Sequence, residues 1–170
     1  EEIIPLIKAS RHLDSDNHKI THTQKKVAAD DKPSVALRGG RDTSMRLAID
    51  LVSDGSADGV VSAGNTGALM AMSKLSLRMC PGIERPAIAS FFPTLKGESC
   101  MLDLGANIEC DANNLVQFAV MGEIFARIVL GLKNPSVGLL NVGSEEQKGH
   151  EELREAATTL RELSNVIKFM

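Results

Sequence analysis

Three loops of the chain combine glycine with polar side chains, and each follows a short apolar run that is typical of a β-strand. They cover residues 62–68, residues 103–107 and residues 141–150. In open α/β sheets, ligands bind beyond the carboxyl ends of the strands, where helix N-termini present N–H groups that lack helical partners. The spacing therefore predicts a ligand site to which all three loops contribute.

The first loop, Ser-Ala-Gly-Asn-Thr-Gly-Ala at residues 62–68, suits an anion. Its glycines, Gly64 and Gly67, allow the backbone to approach a ligand closely, and Ser62, Asn65 and Thr66 add neutral donors. A tight turn between a strand and a helix, which needs glycine for its own geometry, explains the loop equally well. The loop contains neither the Gly-Lys-Ser/Thr of a Walker loop nor the G-x-G-x-x-G of a dinucleotide fingerprint.

The other two loops carry the charged candidates. Asp103 and Asn107 follow a strand, where the carboxylate can orient a donor or act as an acid or base; helix capping is the alternative for both. Lys148 stands between acidic residues and a glycine, so its ammonium can stabilise a phosphate oxygen or a thioester oxyanion; the alternative is a solvated surface lysine. His150 lies beside it without a partner pattern, and we assign it no role.

Apolar periodicity and turn residues predict the elements that position these loops. Helices are predicted at residues 3–12, 44–53 (capped by Asp42 or Thr43), 66–79, 111–132 (capped by Asp111) and 145–163. Strands are predicted at residues 19–23, 59–62, 87–92, 100–104, 137–141 and 166–170. A loop or broken helix is predicted at residues 25–41 and a hairpin-like turn at residues 96–97. The alternation predicts an α/β fold whose mostly parallel sheet carries helices on both faces.

Composition excludes several classes of protein. A net charge of -3 and only 3% aromatic residues give no basic or stacking surface for nucleic acid. No apolar run approaches the roughly 20 residues that a membrane-spanning helix needs. Three cysteines, Cys80, Cys100 and Cys110, lack zinc-site spacing, so free thiols in a reducing, cytoplasmic compartment are expected.

Seven segments, taken together, resemble the bacterial phosphate acyltransferase family in order and spacing. They are DKPSVALR at 31–38, SMR at 44–46, VSAGNTGALM at 61–70, PGIERPA at 81–87, MLDLGAN at 101–107, QFAVMG at 117–122 and GLLNVG at 138–143. Each segment alone is weak evidence for the family, whereas the ordered set is specific to it and covers most of residues 20–157. Ser144 and Gln147 depart from the commonest form of the family's third loop, while Lys148 and Gly149 are kept.

The resemblance implies a three-layer fold similar to isocitrate and isopropylmalate dehydrogenases, in which residues 1–170 are the central part of a single catalytic domain. The family's N-terminal strand and its C-terminal portion would then lie outside this chain, and activity is expected of the full-length protein more than of these residues alone. The resemblance also implies a homodimer, cytoplasmic and in peripheral contact with the inner face of the membrane through regions outside these residues. No metal or organic cofactor is expected.

The activity that the resemblance implies is transfer of a long-chain acyl group from acyl carrier protein to inorganic phosphate, for phospholipid synthesis. Phosphate binding is assigned to the first loop and to Arg46, charge stabilisation to Lys148, and orientation to Asp103 with Asn107; Arg85 is a secondary candidate. Two alternatives stay open. One is a phosphate acetyl- or butyryltransferase that uses a coenzyme A thioester, and the other is a non-catalytic fragment that docks acyl carrier protein.

Overall fold

The computed structural model describes residues 3–10, 18–95, 97–143, 145 and 148–170. Within this part of the chain the helices are α1 (Ile3–Ala9), α2 (Pro33–Gly39), α3 (Ser44–Ser53), α4 (Thr66–Leu77), α5 (Ala112–Val129) and α6 (Glu151–Glu162), and the strands are β1 (Ser90–Thr94), β2 (Gly97–Met101), β3 (Ser136–Val137) and β4 (Lys168–Phe169). The chain divides into two compact units, Glu1–Met72 and Ser73–Met170.

The first unit is built around α2, α3 and the first turns of α4. Five buried side chains form its core: Ala36, Met45, Ile49, Ala68 and Met72. The hydroxyl of Thr43 caps α3 by accepting a hydrogen bond from the Arg46 backbone N–H at 3.4 Å, and it donates to the Gly40 carbonyl at 2.7 Å. This confirms Thr43, rather than Asp42, as the residue that caps α3.

The second unit contains all four strands. β1 and β2 form an antiparallel hairpin in which Ser90 lies opposite Met101 and Thr94 opposite Gly97, while β3 and β4 form a short parallel pair. Helix α5 begins at a capping box between Asp111 and Asn114 and packs against α6, β2 and β3. A second core of Ala119, Leu160 and Ile167 lies where α5, α6 and the parallel pair meet.

The mixed α/β character and the cap at Asp111 are as predicted. β1 and β2 pair on either side of the predicted turn at residues 96–97, of which residue 96 lies outside the described residues. Within the described residues, however, the strands form two separate pairs, and residues 19–23 and 59–62 are not strands. A strand needs a paired neighbour, and Val61, which is 99% exposed, has no such neighbour among the described residues. Helix α6 begins at Glu151 instead of residue 145, and the predicted end of α1 at residue 12 lies outside the described residues.

No helix in the described part of the chain is both long and apolar enough to cross a membrane.

Candidate functional site

Asn65 organises the first loop. Its side-chain Oδ1 accepts a hydrogen bond from the Ala68 backbone N–H at 2.9 Å, which caps α4. Its Nδ2 donates to the carbonyl oxygens of Ala28, Ala29 and Asp31 at 3.3, 3.1 and 2.8 Å. Both polar groups of the Asn65 side chain are thus engaged with backbone, so the residue holds the segment 28–31 against the start of α4.

The glycines of this loop permit close approach of neighbouring side chains. A Cβ atom placed on Gly64 would lie 3.2 Å from Cε of Met45, and one on Gly67 would lie 3.0 Å from Cγ of Pro33. These distances are tighter than ordinary van der Waals contact. The close packing supports the interpretation that the geometry of the turn requires these glycines. The exposed side chains of Ser62 and Thr66 lie beside the N-terminus of α4.

Replacing Asn65 with Ala should lower the free energy of unfolding by about 1–3 kcal/mol, because the cap of α4 and the hydrogen bonds to segment 28–31 disappear together. Urea unfolding followed by circular dichroism measures this change. Thr66→Ala, at an exposed neighbouring position, is the control and should cost much less. Equal losses for the two variants would show that Asn65 has no special structural role.

Arg46 lies in α3, in the same unit as the first loop. Its Nε donates to Oδ1 of Asp50 at 2.7 Å, an ion pair one helical turn along α3. No hydrogen bond joins Arg46 to Ser62, Asn65 or Thr66 in the part of the chain that the structure describes. Arg46 as a phosphate ligand therefore stays a prediction.

Asp103 is the hydrogen-bond centre of the second loop. Its carboxylate accepts from the backbone N–H groups of Ile88 at 2.8 Å, Ala106 at 3.2 Å and Asn107 at 2.8 Å, and from Nδ2 of Asn107 at 3.0 Å. The same Nδ2 donates to the Pro86 carbonyl at 3.0 Å. The predicted pair Asp103 and Asn107 is thus in direct contact, and together they fasten the loop to the segment that enters β1.

The electrostatics of Asp103 favour an orienting role over a proton-transfer role. Burial of the carboxyl group raises its pKa, but the hydrogen bonds from Ile88, Asn107 and Ala106 together outweigh burial, so the pKa lies below its usual value. The group is therefore ionised at neutral pH. A permanently ionised carboxylate with several donors is suited to holding a loop and poorly suited to acting as an acid.

The stabilisation that Asp103 provides should depend on pH. An unfolded Asp has a pKa of about 3.9, and the folded value lies lower, so the contribution is complete above about pH 5 and is lost as the pH falls through the folded pKa. Urea unfolding of the wild type and of Asp103→Asn between pH 7 and pH 3 should show a difference that is constant near neutrality and narrows in acid. A difference that stays constant down to pH 3 would contradict this assignment.

Glu84 is a structural centre that the sequence did not reveal. Its carboxylate accepts from Nδ2 of Asn113 at 2.9 Å and of Asn114 at 3.3 Å, its backbone N–H donates to Oε1 of Gln117 at 2.8 Å, and its carbonyl accepts from Nζ of Lys74 at 2.9 Å. Asn114 and Gln117 are buried polar residues of α5. Glu84 therefore fixes the PGIERPA segment on the first turns of α5.

Arg85, next to Glu84, contacts the segment that follows the second loop. Its Nη1 donates to the carbonyl of Glu109 at 2.9 Å. Burial raises the pKa of the Cys110 thiol, the negative charge of Asp103 raises it further, and the positive charge of Arg85 acts in the opposite direction. Cys110 therefore lies within electrostatic range of both Arg85 and Asp103, and a reactive thiolate is disfavoured there.

The third loop fixes the backbone of Lys148 and exposes its side chain. The Lys148 N–H donates to the Glu145 carbonyl at 2.9 Å, and Nδ2 of Asn141 donates to the Lys148 carbonyl at 2.9 Å. Gly149 has a φ of +92°, and a Cβ there would lie 2.6 Å from Oδ1 of Asn141, so only glycine fits. Asn141 thus closes the loop, and the Lys148 ammonium is presented to solvent.

The candidate residues fall in both compact units. Arg46, Ser62, Gly64, Asn65, Thr66 and Gly67 belong to the first, and Asp103, Asn107 and Lys148 to the second. Within the second unit, no hydrogen bond or ion pair among the described residues joins Lys148 to Asp103 or Asn107. Among those residues, no three His, Cys, Asp or Glu side chains are grouped closely enough to hold a metal ion.

Comparison with known proteins gives concordant matches. A family model described as "Fatty acid synthesis protein" matches residues 1–170. A phosphate acyltransferase of Rhodospirillum centenum is 72% identical over 142 residues, which are 84% of this chain and 40% of the relative. Those of Paramagnetospirillum magneticum and Rhodospirillum rubrum are 61% and 58% identical over 88% and 89% of this chain, and 43% of each relative. The chain therefore spans about two fifths of the length of these relatives.

Proposed function

The chain belongs to the fatty acid synthesis protein family, and we propose that it is part of a phosphate acyltransferase that transfers a long-chain acyl group from acyl carrier protein to inorganic phosphate. The observation that carries the proposal is the 72% identity to a protein named phosphate acyltransferase, over a stretch of 142 residues. The full-length protein, meaning these residues together with the remaining length that the relatives have, is the species to which the activity is assigned.

The proposed reaction is a direct acyl transfer. A phosphate oxygen attacks the thioester carbonyl, a C–O bond forms, the C–S bond breaks, and the thiolate of the carrier protein leaves and takes up a proton. The protein needs to bind the phosphate, orient it and stabilise the oxyanion that forms during attack. Burial raises the pKa values of both Cys100 and Cys110, which disfavours a thiolate nucleophile at either position.

In this proposal the first loop binds phosphate at the N-terminus of α4. The N–H groups of Thr66 and Gly67 lie in the first turn, where backbone donors have no helical partner, and the exposed hydroxyl groups of Ser62 and Thr66 can add hydrogen bonds. Because Gly64 has no side chain, the phosphate can come close to the backbone of the loop. Asn65 acts by holding the loop in place, because its own polar atoms are already bonded to backbone.

The second and third loops have separate tasks in the same proposal. Lys148 stabilises the charge on the phosphate and on the thioester oxyanion, since its ammonium is exposed while its backbone is held by Asn141 and Glu145. Asp103 and Asn107 are positioning residues that set the shape of the second loop. Arg46 and Arg85 are secondary contacts for phosphate or for the acidic carrier protein.

The proposal also covers the fold, the oligomeric state and the cellular location of the full-length protein. We assign it the three-layer fold of the isocitrate dehydrogenase type, a homodimeric state, and a cytoplasmic location with peripheral contact to the inner face of the membrane. Helix α5 packs against both β2 and β3, which supports the three-layer fold, because helices cover the faces of the sheet in folds of that kind.

The test compares two acyl donors. The full-length protein should consume palmitoyl-acyl carrier protein only when phosphate is present, with one palmitoyl phosphate formed for each thioester lost, and it should turn over acetyl-coenzyme A far more slowly. Preference for acetyl-coenzyme A would instead assign a phosphate acetyltransferase. If the protein bound acyl carrier protein but caused no phosphate-dependent loss of thioester, its role would be docking alone, and this result would contradict the proposal.

A further inference from the structure

Residues 18–46 of the first unit are more basic than the rest of the chain. They hold seven lysine and arginine residues against three aspartates, a net charge of +4, whereas the whole chain has a net charge of -3. Five of these basic side chains are exposed and follow one another around α2 and the segments on either side of it. They form the basic surface, which consists of Lys25, Lys26, Lys32, Arg38 and Arg41.

Hydrogen bonds hold the segments before and after α2 side by side. The Ser44 backbone N–H donates to the Lys25 carbonyl at 3.0 Å, and Nζ of Lys25 forms an ion pair with Oδ2 of Asp42 at 2.7 Å. Helix α2 connects these two segments, and both its N-cap residue and its last turn are basic. The basic surface is therefore one region of the first unit, although its members come from separate parts of the sequence.

Most of the positive charge on this surface has no acidic partner. Asp42 pairs with Lys25, and the carboxylate of Asp31 accepts a hydrogen bond from the Ala28 backbone N–H at 2.8 Å. The described part of the chain supplies no ion pair for the other four basic side chains, which are Lys26, Lys32, Arg38 and Arg41. Because an unpaired charge is costly to bury, we expect these four to stay in water in the full-length protein, even where its remaining length covers apolar side chains.

The chemistry of the basic surface favours an acidic protein over a nucleic acid or a bilayer. All five Phe residues of the chain lie at residue 91 or later, and the chain has no Trp or Tyr. The first unit therefore has no aromatic side chain on which a base could stack or which could anchor it in a membrane interface. The basic residues also come from several segments instead of one amphipathic helix, and α2 has only seven residues. Exposed, dispersed positive charges are sufficient to attract a folded partner with an acidic face.

We propose that the basic surface is the docking site for the acidic acyl carrier protein, the acyl donor in the proposed function on which this inference rests. Segment 25–31 begins in the basic surface, and Asn65 holds the later part of that segment against the start of α4 through hydrogen bonds to three of its carbonyl groups. A carrier protein docked there presents its thioester beside the loop to which phosphate binding is assigned. Attraction between exposed charges accelerates association and selects the partner.

Binding of palmitoyl-acyl carrier protein to the full-length protein, measured without phosphate, tests docking separately from the reaction. The double substitution Lys26→Glu with Arg41→Glu replaces attraction with repulsion and should raise the Kd about tenfold or more. Arg78→Glu with Lys133→Glu reverses two exposed positive charges of the second unit and, as the matched control, should raise the Kd less than about twofold. Equal increases for the two double variants would reflect net charge alone and would overturn the proposal.

The salt dependence of binding gives a second readout, which for the wild type requires no substitution. Exposed charges are screened within about 10 Å at an ionic strength of about 0.1 M, so the wild-type Kd should rise about fivefold or more between about 0.05 M and about 0.3 M. The rise should be smaller for Lys26→Glu with Arg41→Glu, since the attraction has already been removed. A wild-type Kd that does not change with ionic strength would contradict docking on a basic surface.

Two further measurements separate docking of the carrier protein from other roles of the same charges. If the Lys26 and Arg41 double variant raised the KM for phosphate but left the Kd for palmitoyl-acyl carrier protein unchanged, the surface would serve to attract phosphate. If it lost binding to phosphatidylglycerol vesicles with that Kd unchanged, the surface would contact the membrane. Either result would overturn the proposal. If the Kd rose as expected while the wild type showed no phosphate-dependent loss of thioester, the docking site would stand and only the proposed reaction would fail.

Discussion

Replacing Lys148 with Met should lower kcat for palmitoyl phosphate formation by the full-length protein about a hundredfold to a thousandfold. In the proposed mechanism the Lys148 ammonium stabilises charge on the attacking phosphate and on the thioester oxyanion, and loss of a group with that role costs about this much. Met keeps the length of the aliphatic stem, which packs near Gly143. The fold should therefore be retained, and the change should appear in kcat and in the KM for phosphate more than in the KM for acyl carrier protein.

The matched control for Lys148→Met is Lys133→Met. Lys133 is also exposed and lies in the same unit, but it is in the connection that precedes β3, whereas the third loop follows β3. It should retain nearly full activity, since an isolated surface lysine contributes little. If Lys148→Met lost less than about threefold in kcat, or if both variants lost activity equally, Lys148 would have no special place in the reaction.

Replacing Asp103 with Ala should lower the free energy of unfolding by about 2–4 kcal/mol. The substitution removes an ionised acceptor of four hydrogen bonds and leaves the N–H groups of Ile88, Ala106 and Asn107 without their partner. Because water has partial access to the loop, the loss in the free energy of unfolding should be smaller than the summed contributions of the four hydrogen bonds. Because the loop then loses its link to the segment entering β1, kcat should fall as well, and urea unfolding together with steady-state kinetics measures both effects.

Asp58→Ala is the control for the Asp103 substitution. Asp58 is an exposed carboxylate in the first unit, and its replacement should change the free energy of unfolding much less. Asp103→Asn should lie between wild type and Asp103→Ala, because an amide oxygen can still accept some of the hydrogen bonds. A loss for Asp103→Ala no greater than that for Asp58→Ala would contradict the central role of Asp103 in the second loop.

Local signals in the sequence were sufficient for α3, α4 and α5 and for the caps of α3 and α5, whereas α2 was predicted only as part of a loop or broken helix and α6 begins later than predicted. Thr43 and Asp111 cap α3 and α5 through partners only three residues away, an arrangement that residue type and spacing specify. The antiparallel pairing of β1 with β2, in which Thr94 lies opposite Gly97, likewise joins residues that are close along the chain. Such features depend on neighbours along the chain, so pattern alone predicts them.

Features that depend on distant residues could not be predicted in the same way. Asn65 was identified as a candidate donor, but its acceptors lie 34–37 residues earlier in the chain. Glu84 joins Asn113, Asn114 and Gln117, which lie 29–33 residues later, and no local pattern marks it. The apolar run at residues 59–62 has strand character, yet strand formation needs a neighbour that the described residues do not supply.

Whether the acyl group passes directly to phosphate is tested by incubating the full-length protein with an equimolar amount of palmitoyl-acyl carrier protein, first without phosphate and then with it. Before phosphate is added, the account predicts an intact thioester and an unchanged mass of the protein. After the addition, thioester should disappear as palmitoyl phosphate forms in equal amount. A protein that gains the mass of one palmitoyl group before phosphate is present would contradict direct transfer and would require a nucleophile on the protein.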